Sequence, residues 1–148
     1  MNRQEDVLNQ ILRIVRSGND FYVDVYPRIV EAEERTAFAY ISDVKQRFLA
    51  DLRALVTREI DAGSEHISPA ALAERLYATV RGKFHGRSPA QCANALKFAE
   101  DELVRLMERA FEDSGDGRVR DMLKAHYRQV ATCRDVLTRL HLRFVAVA

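Results

Sequence analysis

Residues 89–140 read PAQCANALKFAEDELVRLMERAFEDSGDGRVRDMLKAHYRQVATCRDVLTRL. In the first half the apolar residues Cys92, Leu96, Leu103, Leu106 and Ala110 recur at helical intervals, broadened by Met107 and Phe111. In the second half the stripe is Val119, Leu123, His126, Val130, Cys133, Leu137 and Leu140. Spacings of three and four place each set on one face of a helix, to be buried against a neighbour. Between them stands Asp113-Ser114-Gly115-Asp116-Gly117, whose glycines and cap-forming side chains favour a tight reversal. This turn superficially resembles a calcium-binding loop, but the alternating acidic ligand positions and the distal Glu are missing. The stretch therefore reads as two long helices joined as an antiparallel hairpin.

A second hairpin precedes it. Val7, Ile11, Ile14, Phe21 and Val25 form a stripe widened by Leu8, Val15 and Tyr22, with Asn2 and Glu5 spaced as a capping box. Gly18 interrupts this helix, and Pro27 should kink or end it, because proline has no amide donor and restricts Tyr26. A new helix is expected from Glu31, Glu33 and Glu34, acidic residues that suit a helix N-terminus. Its stripe is Phe38, Ile41, Val44, Phe48, Leu52 and Leu55, with Gly63 as a stop signal and Arg47 spaced to pair with Asp43 and Asp51. Two Ser-Pro starts follow. Ser68-Pro69 opens a short segment with Leu72, Leu76 and Val80 that ends at Gly82. Ser88-Pro89, with Gln91 completing a capping box, opens the helix quoted above. No segment of useful length has the period of a strand.

Composition agrees with a single helical domain spanning residues 1–148. Six glycines and three prolines are few for a fold built on many turns. Lys and Arg total 23 against 22 Asp and Glu, so the basic excess of a nucleic-acid binder is missing. No apolar run is long enough to span a bilayer, and the N-terminus lacks the layout of a signal peptide. Two cysteines, Cys92 and Cys133, suit small buried hydrophobes in a reducing cytoplasm. The expected fold is all-α: an antiparallel four-helix bundle with a short extra helix in the long connection between its second and third helices.

Five strings, in order and at compatible spacing over roughly residues 7–140, carry a resemblance: SGNDFY (17–22), FLADLRALV (48–56), HGRSPAQC (85–92), AEDELVRLMERAF (99–111) and HYRQVATCRDVL (126–137). Together they resemble a family of bacterial ferritin-like bundle domains of unknown function, often small stand-alone proteins and sometimes linked to stress responses. The resemblance implies a ferritin-like fold but does not bring ferritin chemistry with it.

A di-iron bundle draws carboxylates from two helices and a Glu-x-x-His motif from each of the other two. The chain has no Glu-x-x-His; His66 and His85 fall in the connection and His141 in the tail. The last helix carries Ala131 and Arg134 where such a protein places Glu and His, so a permanent cation is expected near the metal position. A polar group of Glu100, His126 and Arg134 remains. Glu100 lies beside the third stripe, and a buried carboxylate needs a partner, which His126 or Arg134 of the adjacent helix could supply; Arg134 in turn is expected to pair with an acid of another helix, Glu100 first. Cys133 and His126 are one heptad apart, about 10 Å along the helix, too far for a nucleophile and its base. The five tyrosines read as packing at the bundle edge, and a ligand pocket near Gly18 and Pro27 is a further possibility.

These readings assign no catalytic residue, cofactor or metal ligand. They describe a non-catalytic structural, stress-related or interaction module. The alternative is a metal-binding carboxylate bundle, with a degenerate di-iron or mononuclear site and oxidoreductase or storage activity. The apolar tail from His141, with Leu142, Phe144, Val145 and Val147, points to a homodimer using the tail or the flank of the first helix. No membrane or nucleic-acid partner is expected.

Overall fold

The computed structural model describes residues 3–56, 68–84 and 89–147. They form five α-helices: α1 (Arg3–Val25), α2 (Ala32–Leu55), α3 (Pro69–Lys83), α4 (Pro89–Asp113) and α5 (Gly117–Val147). Among the described residues there is no strand, and no helix is long and apolar enough to cross a membrane. Asn2, Gly63, His66, His85 and Ser88, each singled out by the sequence, lie outside the described residues.

The helix ends follow local chemistry. Pro27 stops α1, and Tyr26–Arg28 make one 3-10 turn before Ile29 extends. The Glu31 carboxylate then caps α2, accepting the backbone N–H of Glu33 at 3.1 Å and of Glu34 at 2.7 Å. Ser68 caps α3 through the N–H of Ala71 at 3.1 Å, as its Ser-Pro signal requires. Asp116 caps α5 through the N–H of Arg118 at 2.9 Å. Two caps come from other helices, which no local pattern reveals. Gln10 Oε1 of α1 accepts the Ala70 N–H, and Glu34 Oε2 of α2 accepts the Ala90 N–H, each at 3.0 Å.

Cross-helix contacts fix the run directions. Gln10–Ala70, Arg13–Glu74 and Asp24–Arg81 advance together, so α1 and α3 run the same way. Glu34–Ala90 and Lys45–Glu100 do the same for α2 and α4. Asp101–Arg134 and Glu108–Tyr127 run in opposite order, making α4 and α5 antiparallel. Asp51–His126 and Glu33–Arg143 show the same for α2 and α5. Thus α1, α3 and α5 point one way, and α2 and α4 the other.

The apolar stripes meet in one contiguous core. Helix α3 is more than the short accessory segment expected. It is 15 residues long, packs on both α1 and α4, and buries Ala70, Ala73, Tyr77 and Val80. Gly18 explains how it approaches: a Cβ there would lie 2.9 Å from the Tyr77 hydroxyl and 3.3 Å from its ring. Helix propensity favours Gly18→Ala by about 1 kcal/mol, but crowding costs about 1–3 kcal/mol where the rigid ring cannot yield. Urea melts should therefore show net destabilisation, smaller in a Tyr77→Phe background. An equal effect in both backgrounds would mean that the hydroxyl is not the obstacle.

Candidate functional site

Each helix sends one polar side chain to the same region of the interior. Lys45 of α2 and Glu100 of α4 form an ion pair, Nζ to Oε2 at 2.5 Å, with both side chains fully buried. The buried hydroxyls of Tyr22 (α1) and Tyr77 (α3) and the Cys133 thiol (α5) lie within electrostatic reach of Glu100. The second carboxylate oxygen of Glu100 and both phenol oxygens are buried with no protein partner. Phe21 and Phe38 wall this centre: the Tyr22 ring stands edge-on to both, at 5.0 and 5.3 Å.

Electrostatics here are those of a closed interior. Burial, reinforced by Glu100, pushes both tyrosine hydroxyls well above their usual range. Burial likewise pushes the Cys133 thiol up to about 12, against the opposing pull of Lys45. Cys133 is therefore a thiol rather than a nucleophilic thiolate at neutral pH. The linkage sign follows: a raised folded-state pKa leaves stability intact below the unfolded value, near 8.5, and removes it as pH rises toward 12. Melting temperature should fall from pH 8 to pH 10.5, with a shallower fall in Cys133→Ala. Equal slopes in the two proteins would refute the assignment.

The expected partnerships of Glu100, His126 and Arg134 do not form. Lys45, not Arg134 or His126, neutralises Glu100. Arg134 is half-buried at the α4–α5 edge, its Nε 3.8 Å from Asp101, one residue along α4 from the expected acid. That single step turns the contact by about 100° around the helix, from core to rim. Arg134→Leu should accordingly change stability by less than about 0.5 kcal/mol in a denaturant melt. A loss of several kcal/mol would restore the buried role. His126 stacks on Phe48 at 4.8 Å between ring centres and meets Asp51 at 2.6 Å, joining α5 to α2 at the surface. Asp51 is thus engaged by His126, while Arg47 pairs with Asp43.

Two tyrosines depart from the edge-packing expectation, since Tyr22 and Tyr77 are interior. The space beside Gly18, a candidate pocket by sequence, is filled by Tyr77 and Lys45. A cleft of about 520 Å³ instead lies in the groove between α4 and α5, floored by Met107 and Leu123. Lys45 and Tyr77 are the members of the centre that sequence reasoning missed. A signal for Lys45 existed: it stands seven residues from both Phe38 and Leu52, on their stripe.

The donors among the described residues do not fit a di-iron centre. Among the described residues no three His, Cys, Asp or Glu side chains converge as metal ligands. The one carboxylate that is interior among the described residues already carries a cation beside it, and phenols held protonated are poor ligands. Cys92 and Cys133 are buried and form no disulfide. No family model, curated protein or solved structure matches this chain.

Proposed function

We propose that this chain is a ferritin-like four-helix bundle, α1, α2, α4 and α5, serving as a non-catalytic structural or interaction module of the cytoplasm. The observation that carries this reading is the Lys45–Glu100 pair. At the level where a carboxylate bundle would hold metal, the chain supplies its own cation on a tether. Charge is balanced without any exchangeable ligand. The up-down-down-up course of the four long helices, with α3 filling the crossover, supports the ferritin-like assignment. The exposed Leu142, Phe144 and Val145 at the end of α5 support self-association as a homodimer. The stress-related role rests on the sequence resemblance alone.

The second reading, a metal-binding carboxylate bundle, draws on the unpartnered Glu100 Oε1 and the two tyrosine hydroxyls beside it. Metal analysis of protein purified without an affinity tag separates the two. Substoichiometric iron, manganese and zinc are expected. Stoichiometric metal that is lost in Glu100→Ala would replace the first reading by the second.

A further inference from the structure

Nine large hydrophobic residues are exposed among the described residues, and four of them, Phe98, Tyr127, Leu142 and Val145, fall on one surface. On α5, Tyr127, Ala131, Arg134, Thr138, Leu142 and Val145 follow at intervals of three and four. On α4, Phe98, Asp101, Arg105, Glu108 and Glu112 do the same. The Tyr127–Glu108 hydrogen bond and the Arg134–Asp101 contact tie these rows together along one groove. They border the outer face of the α4–α5 hairpin.

The groove has rims of opposite charge. Where it opens into the cleft over Met107 and Leu123, the α4 rim carries Glu108 and Glu112 and the α5 rim carries Lys124 and Arg128. Glu112, Lys124 and Arg128 make no ion pair among the described residues. An acidic rim beside a basic rim at the same level is complementary to a copy of itself.

We propose that this face is the contact between two copies of the chain, related by a two-fold axis parallel to the helices. The proposal rests on the homodimer reading above and names its surface. With the axis in that direction, α4 of each copy lies over α5 of the other. Glu108 and Glu112 then face Lys124 and Arg128 across the interface, twice over. An axis across the helices would stack like rims on like, so the charges select the geometry. Continuing the register of Asp101–Arg134 and Glu108–Tyr127 brings Leu142 level with Ala93. There the apolar end of one α5 lies over the first turns of the other copy's α4, where Gln91 and Asn94 face outward. From Lys124 to Val145 the face is roughly 30 Å long, and two helices make it roughly 20 Å wide. About 600 Å² per copy reaches the lower range of stable interfaces.

Light scattering of the full chain at tens of micromolar tests the proposal. The unaltered chain should have the dimer mass. Glu108→Lys with Glu112→Lys, and separately Lys124→Glu with Arg128→Glu, should each give monomers, with dissociation constants raised at least 100-fold. Mixing the two variants should restore a dimer, because every contact in the mixed pair is again attractive. Leu142→Asp, which leaves the four rim residues unaltered, should also weaken the dimer. A monomeric unaltered chain would overturn the homodimer reading itself. A dimer unmoved by both reversals and by Leu142→Asp would overturn this interface and leave that reading standing. Monomeric variants that stay monomeric when mixed would also overturn it, and circular dichroism melts confirm that each variant is folded.

Discussion

Lys45→Met is expected to reduce folding stability by about 3–5 kcal/mol, one of the two largest single-residue effects in this chain. Methionine fills similar volume and suits a helix, so packing and propensity change little. What changes is charge. Glu100, fully buried, loses the ammonium 2.5 Å from its carboxylate and must ionise unaided or take up a proton. The double variant Lys45→Met with Glu100→Leu should recover most of the loss, because an apolar pair of similar volume often replaces a buried ion pair at no net cost. Urea titrations of the three proteins provide the cycle. A Lys45→Met loss below about 1 kcal/mol would show that water reaches the pair and that the interior is not closed.

Local pattern revealed most helix positions and few of the partnerships that join helices. Ser68, Pro27 and the 113–117 turn act on their own neighbours, and α3, α1 and the α4–α5 hairpin begin or end where those residues dictate. Glu100 was legible as a buried acid because it borders the Leu96–Leu103 stripe, yet its partner was not. Choosing among Lys45, His126 and Arg134 requires the rotation of α2 and α5 about their axes, which depends on all the packing at once. Lys45 was hidden by its type. Lysine is ordinarily solvated, and its place on the Phe38–Leu52 stripe reads as an interruption rather than a charge aimed inward. Tyr77 was hidden because the more evident α3 stripe, Leu72–Leu76–Val80, marks a different face: Leu72 is exposed, and Tyr77 enters the core where Gly18 has no side chain.

The second large effect is expected at Phe21. Its ring is fully buried and touches both sides of the α1–α3 contact: 5.0 Å from Tyr22, 5.5 Å from Tyr77 and 6.4 Å from Phe84, centre to centre. Phe21→Ala removes the ring and leaves a cavity that three aromatic neighbours cannot collapse into, a loss of about 3–5 kcal/mol. Because α3 reaches the core largely through Tyr77 and small alanines, the damage should concentrate there. Amide exchange in α3 should accelerate more than in α5. Uniform acceleration across all helices, or a loss below about 1 kcal/mol, would show that Phe21 is not the anchor of α3.

The placement of Lys45 and Glu100 on different hairpins bears on whether the chain can be divided. Residues 1–56 hold the cation and residues 89–148 the anion, and the cap on α4 is likewise lent by Glu34 from the first segment. Neither segment alone can bury its stripe without stranding a charge, and α4 alone loses the acceptor for its Ala90 amide. Folding is thereby made a joint event of both halves. Fragments cut in the connection should be largely unstructured apart and should regain helicity when mixed, a built-in complementation pair whose assembly reports directly on the interior.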